Sequence, residues 1–321
     1  MNSTTLPRIV LMGTPTFAVG TLNALVDAGM NVVAVVTAPD RPAGRGLSIR
    51  MSAVKERAVE LGLPVLQPDR LKDPAFLAEL ARYDAHVNVV VAFRMLPEVV
   101  WARPVHGTIN LHASLLPQYR GAAPINWAII NGERESGVTT FRIQQAIDTG
   151  DLLLQERMVI GADETAGELH DRMMMVGAAL MVRTLQGIFD GTLTARPQHV
   201  EGTLHEAPKL TTTTGRLDPR SRVAALHDRV RGLSPYPCAW CLWKPPQRPP
   251  LLMKVARTRL AANDIRPVAG DVRIIGDRIL MGCSDGWLEL MELQPEGRKR
   301  MTAEELVRGL HVRDGFHVLC D

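Results

Sequence analysis

Short apolar segments alternate with helix-like segments through the first third of the chain, and this alternation constrains the fold more than any other feature. Four apolar segments match strands, at Ile9–Met12, Val32–Thr37, Asp84–Ala92 and Thr108–Leu111. Between the second and third lies a predicted helix over Ser52–Leu61, with Ser52 as its N-cap. Strands separated by helices are typical of βαβ units. The pattern predicts an α/β domain with a parallel sheet covered on both faces.

The pattern changes after Gly187, where strand-like pieces become short and are interrupted by proline and glycine. After a helix over Arg222–Gly232 they lie at Leu251–Ala256, Gly270–Ile275, Arg278–Gly282 and Trp287–Leu293. Such pieces predict a small β-barrel or sheet. We expect a first domain over residues 1–187, a linker over residues 188–207 and a second domain over residues 208–321.

Charge is unevenly distributed between the two parts. Residues 208–321 contain 19 Lys and Arg against 13 Asp and Glu, a net charge of +6, whereas residues 1–207 contain 18 against 21, a net charge of −3. A basic C-terminal part indicates either an anionic partner or a solvated basic surface, and charge alone leaves both open.

The four cysteines, Cys238, Cys241, Cys283 and Cys320, are too few for a disulfide framework in a chain of 321 residues. Cys238 and Cys241 form a CxxC, but the other two do not form the second pair that a zinc site needs. We therefore expect reduced thiols and no metal. No apolar run approaches the ~20 residues that span a bilayer, and the N-terminus lacks signal-peptide features. We expect a cytoplasmic protein without a membrane segment.

Polar side chains at the end of the fourth strand are the first candidates for chemistry. Alternation along a strand places Asn110 and His112 on one side, at the carboxyl end where open α/β sheets place ligand sites. An amide N–H beside an imidazole suits an oxyanion and a proton transfer. Taken alone, His112 reads more readily as a buried strand histidine. Asp148, in a polar loop, is either a carboxylate that orients His112 or a turn residue.

A nicotinamide cofactor is not expected. Gly13-Thr14-Pro15 follows the first strand, but Pro15 stands where the dinucleotide fingerprint requires its second glycine.

Longer motifs connect these residues, and together they resemble the folate-dependent formyltransferases over essentially the whole chain. The motifs are Asn110–His112 (N-x-H), Ser114–Pro124 (S-L-L-P-Q-Y-R-G-A-A-P), Asp148–Asp151 (D-T-G-D), Pro39–Gly46, Gly137–Thr140, Ala207–Leu210 and Arg231–Pro237. The resemblance implies a Rossmann-like, open, parallel-rich sheet followed by a small OB-like β-barrel. It also implies formyl transfer from 10-formyltetrahydrofolate to the α-amine of an initiator methionyl-tRNA, by a chain that we expect to be a monomer.

The resemblance implies roles for particular residues. The catalytic set falls on Asn110, His112 and Asp148. The folate contacts fall on Ser114, Leu115, Leu116, Pro117, Phe93, Met95 and Leu96. Arg94 occupies a position where the family usually has glycine, in a segment one residue shorter than usual. The tRNA contacts fall on Arg41 and Arg45, with further phosphate contacts from a basic surface that carries Lys209, Arg216, Arg229, Arg231 and Lys254.

Three other functions fit parts of this pattern. A formyltransferase for a sugar nucleotide or glycinamide ribonucleotide shares the Asn–His–Asp set, but the Pro39–Gly46 loop and the basic C-terminal part favour tRNA. A hydrolase of 10-formyltetrahydrofolate uses water as the acceptor. A non-catalytic tRNA-binding module predicts a damaged catalytic set, whereas Asn110, His112 and Asp148 are all present.

Overall fold

The structure is a computed structural model, and it describes residues 6–43, 48–262, 265–310 and 314–320. The chain divides into two compact units. Unit 1 comprises Met1–Gly121, Gly137–Met158 and His170–Glu206. Unit 2 comprises Ala122–Ser136, Val159–Leu169 and Ala207–Asp321. Each unit therefore collects segments that are distant in the sequence.

Strands and helices alternate through the first half of the chain, and strands predominate in the second. The strands are β1 (Arg8–Gly13), β2 (Asn31–Val36), β3 (Arg41–Ala43), β4 (Ser48–Arg50), β5 (Val65–Leu66), β6 (Val87–Val91), β7 (Thr108–His112), β8 (Arg120–Gly121), β9 (Glu135–Arg142), β10 (Leu152–Val159), β11 (Glu206–Ala207), β12 (Ala239–Lys244), β13 (Leu251–Ala261), β14 (Asp271–Ile275), β15 (Arg278–Gly282), β16 (Trp287–Pro295), β17 (Met301–Thr302) and β18 (Phe316–Leu319). The helices are α1 (Thr16–Asp27), α2 (Ala53–Glu60), α3 (Pro74–Arg82), α4 (Glu98–Trp101), α5 (Pro124–Ile130), α6 (Ala166–Phe189), α7 (Val223–Leu233) and α8 (Ala303–Arg308), with a 3₁₀ turn at Thr213–Gly215.

Unit 1 is built on a seven-stranded sheet in the order β10-β9-β7-β6-β1-β2-β5. The pairs β1–β2, β1–β6, β2–β5 and β6–β7 are parallel, and β9 runs antiparallel to β7. All five residues of β6 are buried, as expected for a strand covered on both faces. This sheet confirms the predicted α/β class.

The end of β1 packs too closely against α1 and β6 for any residue except glycine. A Cβ on Gly13 would lie 2.4 Å from the Ala18 Cβ and 3.0 Å from the Val91 carbonyl oxygen. Gly13 therefore permits the close approach of both α1 and β6 to the end of β1. Ser52 caps α2 as predicted, since its side chain accepts a hydrogen bond from the Lys55 backbone N–H at 3.0 Å.

Unit 2 contains a closed antiparallel barrel. Its strands follow the order β13-β12-β18-β14-β15-β16, and the pairing of β16 with β13 closes the ring. The short strand β17 pairs with Glu292 and Leu293 of β16, beyond the part of β16 that pairs with β15. Buried residues such as Val255, Met281 and Leu290 fill its interior. The barrel confirms the second element of the predicted fold, and closure removes the exposed sheet edges of a small β-domain.

Helices α5 and α7 pack against each other within unit 2. A Cβ on Gly232 would lie 2.7 Å from the Ile130 Cγ1, and the Asn126 amide donates to the Gly232 carbonyl at 2.7 Å. Helix α5 lies within the range 1–187 that the sequence pattern assigns to the first domain. It joins unit 2 because its apolar face packs on α7, and a linear pattern does not reveal which core a segment joins.

Candidate active site

Strand β7 lies inside the sheet of unit 1, between β6 and β9, and it carries Asn110 and His112 at its carboxyl end. Their same-side placement follows from strand alternation, as the sequence predicts. Asn110 is half-buried, and among the described residues no hydrogen bond engages its side chain. Its amide N–H is therefore available to a ligand at the edge of the sheet.

His112 is buried, and a backbone carbonyl determines which of its ring nitrogens is free. Its Nε2 lies 2.8 Å from the Tyr119 carbonyl oxygen, which can only accept, so Nε2 carries a hydrogen. Its Nδ1 lies 3.8 Å from the Asp148 Oδ2, which is longer than a direct hydrogen bond. The predicted partners His112 and Asp148 therefore meet through Nδ1, with a gap that a small shift or a bridging water can close.

Asp148 is held in place by the loop that contains it. Its backbone is in the left-handed region, with φ of 53°, a conformation that Asp tolerates better than most residues. Its Oδ2 accepts a hydrogen bond from the Gly121 N–H at 2.9 Å. Two residues later, a Cβ on Gly150 would lie 1.7 Å from the Arg142 carbonyl oxygen, so only glycine fits there. The loop thus lies tightly against the end of β9.

Gln198 fixes the same loop, and the sequence pattern did not reveal this residue because residues 188–207 read as a linker. Its Nε2 donates to the Asp148 carbonyl at 2.9 Å and to the Gly150 carbonyl at 2.8 Å. Its Oε1 accepts from the Arg120 Nε at 3.2 Å and Nη2 at 2.6 Å. Gln198 therefore connects the Asp148 loop to β8. The one sequence signal for this role is an amide side chain, which can donate and accept hydrogen bonds, within the predicted linker.

The predicted folate segment Ser114–Pro117 is held in place by its own loop and by side chains of β9 and β10. The Ser114 hydroxyl donates to the Gln118 carbonyl at 2.6 Å, and the Ser114 side chain is buried. The Thr139 hydroxyl donates to the Ser114 carbonyl at 2.6 Å, and Gln155 donates to the Leu116 carbonyl at 2.9 Å. The Ser114 hydroxyl is therefore used inside the protein. The folate contacts of this segment stay a prediction.

The second predicted folate segment, Phe93–Leu96, follows β6 at the same edge of the sheet. Leu96 is buried in the core, Phe93 is half-buried against it, and Met95 is 70% exposed. Ala92, the residue directly before this segment, has a φ of 46°, which is unusual for alanine. Unusual backbone conformations are enriched at ligand sites. The geometry is compatible with the predicted cleft wall, and its folate contacts also stay a prediction.

Arg94, which departs from the family pattern, links this segment to the loop after β5. Its Nη1 donates to the Asp69 carbonyl at 2.9 Å, and its Nη2 donates to the Pro68 carbonyl. Its guanidinium lies 5.5 Å from the centroid of the Phe93 ring. Burial lowers the pKa of Arg94, and the positive charge of Arg41 lowers it further. The arginine side chain thus connects two loops at the edge of the sheet.

The predicted tRNA loop Pro39–Gly46 is partly described. Asp40 at its base forms an ion pair with Lys55 and accepts from Gln67 at 2.8 Å, and these hydrogen bonds lower its pKa. Arg41 is exposed and lies directly opposite Arg50 across the β3–β4 pair. Arg45 lies outside the described residues.

The predicted phosphate contacts of unit 2 differ in their exposure. Lys209 is exposed, and Arg229 is half-buried and donates to the Thr214 carbonyl at 2.9 Å. Arg231 is only 3% exposed. Its Nε donates to the Asp228 carboxylate at 2.7 Å, and its Nη1 faces the Glu164 carbonyl at 3.1 Å. The guanidinium of Arg231 is thus engaged by an acidic side chain and a carbonyl inside unit 2, and its predicted phosphate contact stays a prediction.

The CxxC pair consists of buried thiols. Burial raises the pKa of Cys241, the second thiol of the pair, to about 12, and burial likewise raises the pKa of Cys283, which lies outside the pair, to about 12. Both sulfurs therefore stay protonated at neutral pH. Among the described residues there is no group of three or more His, Cys, Asp or Glu side chains placed to hold a metal ion. The same part of the chain has no helix with the length and apolar character to span a membrane.

Comparisons with known proteins show which family the chain is similar to. The family model described as "Formyl transferase" matches residues 7–185, and the model described as "Formyl transferase, C-terminal domain" matches residues 209–311. A methionyl-tRNA formyltransferase of Bacteroides thetaiotaomicron is 46% identical over 96% of this chain and 97% of its own. One from Parabacteroides distasonis is 47% identical over 94% of this chain and 95% of its own.

The chain belongs to the methionyl-tRNA formyltransferase family. Solved structures share its fold at low identity. A sugar 3N-formyl transferase, solved with dTDP and 5-N-formyl-THF, matches with a TM-score of 0.65 at 16% identity, over 92% of this chain and all of its own. HypX from Aquifex aeolicus in complex with tetrahydrofolic acid matches with a TM-score of 0.64 at 16% identity, over 97% of this chain and 49% of its own. Membership of the family confirms the resemblance drawn from the motifs.

Proposed function

We propose that this chain transfers the formyl group of 10-formyltetrahydrofolate to the α-amino group of initiator methionyl-tRNA. The observation that carries the proposal is the convergence of Asn110, His112 and Asp148 at the carboxyl edge of the sheet. An available amide donor, a buried imidazole and a carboxylate suit acyl transfer to an amine. Relatives that match nearly the full chain are named methionyl-tRNA formyltransferases, and a similar fold was solved with tetrahydrofolic acid, which supports this donor and acceptor.

The chemistry follows from the geometry of the three side chains. The neutral amine attacks the formyl carbon, and the carbonyl oxygen becomes an oxyanion. The Asn110 N–H donates to this oxyanion, as does His112 when its Nδ1 carries a proton, because its Nε2 is committed to Tyr119. Asp148 accepts the proton that the attacking amine releases, directly or through water. The oxyanion then re-forms the carbonyl as the C–N10 bond of the folate breaks, and N10 leaves with the proton that Asp148 took from the amine, which returns Asp148 to its carboxylate form.

The direct test is to incubate the protein with 10-formyltetrahydrofolate and methionyl-tRNA and to measure formyl-methionyl-tRNA. Reactions with an amino-sugar nucleotide and with water as acceptor serve as controls. We expect product only with the tRNA. We also expect Asn110→Ala to lower kcat about 10²–10³-fold, the usual loss for one oxyanion donor. Near-normal turnover by a folded Asn110→Ala protein contradicts the assigned role, and formylation of the sugar nucleotide in place of the tRNA contradicts the acceptor.

The acceptor tRNA is proposed to reach the site past Arg41, which is exposed. The loss of one phosphate contact weakens binding without affecting a separate pocket. Arg41→Ala is therefore expected to raise the KM for tRNA and to leave the KM for folate unchanged. Arg82→Ala, an exposed arginine on α3, is the matched control. An unchanged KM for tRNA in Arg41→Ala contradicts this contact.

A further inference from the structure

Tyr236 is held out to solvent by a rigid loop that connects α7 to β12. The sequence there is Ser234-Pro235-Tyr236-Pro237-Cys238, and two prolines restrict φ on either side of the tyrosine. Tyr236 is 81% exposed, although Ser234 and Cys238 are buried. Within the described residues, no hydrogen bond or ring contact engages the Tyr236 side chain. A large aromatic surface is thus left uncovered by a loop whose two ends are fixed.

Several elements of unit 2 hold the backbone around Tyr236. The Gly167 N–H donates to the Ser234 carbonyl at 3.0 Å. The Arg300 Nη2 donates to the Pro235 carbonyl at 3.1 Å, and the Lys254 Nζ lies 3.4 Å from the Pro237 carbonyl. The Cys238 N–H donates to the Leu233 carbonyl at 2.9 Å. With this backbone fixed, binding through the ring costs little conformational entropy, because a tyrosine has only two rotatable side-chain bonds.

The charges beside Tyr236 distinguish an RNA partner from a protein partner. The carbonyls on both sides of the tyrosine contact cationic side chains, Arg300 and Lys254. Glu292 is the acidic group near Arg300, at 3.9 Å, and both side chains of that pair are partly exposed. Residues 208–321 carry a net charge of +6. Tyrosine and arginine are common at protein interfaces as well, but lysine is depleted there, and an exposed aromatic ring on a basic surface is the usual arrangement for holding unpaired bases.

We propose that the Tyr236 ring is a stacking platform for an unpaired base of the tRNA. The identity of the ligand, a tRNA, rests on the proposed function. The exposure of Tyr236 and its fixed backbone do not. RNA is recognised mainly at unpaired bases, which stack on exposed aromatic side chains. Stacking adds affinity without neutralising a phosphate, so it changes the binding constant and not its dependence on salt.

The test measures the binding of methionyl-tRNA to the full chain and to its variants Tyr236→Ala, Tyr236→Phe and Leu260→Ala. Each Kd is determined over a range of salt concentrations. We expect Tyr236→Ala to raise Kd about 10-fold, with the same slope of log Kd against log salt as the unchanged chain. Tyr236→Phe keeps the ring, so its Kd should stay within about twofold. Leu260→Ala removes a half-exposed apolar side chain from the same unit and should bind normally.

Two results overturn the proposal. One is normal tRNA binding by Tyr236→Ala, which leaves a protein partner as the better candidate for this surface. The other is an equal loss in Tyr236→Phe and Tyr236→Ala, which assigns the effect to the hydroxyl. Because binding is measured without turnover, failure of the stacking contact is distinguishable from failure of the proposed function. In the latter case the unchanged chain makes no formyl-methionyl-tRNA, whatever its affinity for the tRNA.

Discussion

Gln198→Ala tests whether the position of Asp148 determines the rate of formyl transfer. The substitution removes the two N–H groups that donate to the Asp148 and Gly150 carbonyls, and the oxygen that accepts from Arg120. The Asp148 carboxylate itself is left intact, together with its bond from the Gly121 N–H. The variant therefore loosens the Asp148 loop without removing any of the three proposed catalytic side chains.

The size of the effect follows from the bonds that are lost. Two neutral hydrogen bonds contribute about 1 kcal/mol each, and the bond from Arg120 contributes about 1.5–3 kcal/mol. Gln198 is half-buried, so water replaces part of these hydrogen bonds in the variant. The net loss of free energy that holds the Asp148 loop in place is then about 2–3 kcal/mol. At 1.36 kcal/mol for each factor of ten, kcat falls about 30- to 150-fold. This agrees with the roughly 100-fold cost of a 1 Å misplacement.

Steady-state formylation of methionyl-tRNA measures this effect, with kcat and both KM values determined for each variant. His199→Ala changes an exposed neighbour and should leave kcat unchanged. Gln198→Glu keeps an acceptor for Arg120 but directs a carboxylate at the two loop carbonyls, so it should lose as much activity as the alanine variant. A kcat within about twofold of the unchanged chain, in a Gln198→Ala protein that is folded at the assay temperature, refutes the reasoning.

Three further substitutions test other contacts. Arg94→Ala removes the link between two loops at the edge of the sheet. It should raise the KM for 10-formyltetrahydrofolate about 10-fold while the KM for tRNA is unchanged. An unchanged KM for the folate contradicts the prediction that this segment forms a wall of the folate cleft. Gly150→Ala places a Cβ against the Arg142 carbonyl, so kcat should fall at least 100-fold; measurable activity near the normal rate refutes the close approach. Glu289 is buried, and its hydrogen bond from Arg278 holds its pKa below the ordinary value. Because the pKa of Glu289 is lower in the folded state, its ionised carboxylate stabilises unit 2 fully above the unfolded pKa of about 4.3. This stabilisation is lost as the pH falls through the pKa of Glu289 in the folded state. Glu289→Gln should therefore cost about 1 kcal/mol in the free energy of unfolding at pH 7 and less at pH 3. An equal cost at both pH values, measured by denaturant unfolding, contradicts the assignment.

Much of the fold could be predicted from local periodicity and from the chemistry of the motifs. Strand alternation placed Asn110 and His112 on one side of β7, and the switch from long βαβ repeats to short interrupted strands separated the sheet from the barrel. Both inferences depend on properties that a few consecutive residues carry, namely side-chain direction and backbone preference. The long motifs then identified the family, because chemistry that needs several residue types in order leaves a recognisable sequence.

Contacts between residues that are distant in the sequence could not be predicted, and they are known from the tertiary structure. The 3.8 Å approach of His112 to Asp148 joins positions 36 residues apart, and Gln198 reaches the Asp148 loop from a stretch that reads as a linker. Arg231 shows the opposite case: a basic residue on a helix reads as a surface cation until packing buries it beside Asp228. Burial and long-range hydrogen bonds result from how elements pack, and packing depends on the whole chain rather than on any local segment.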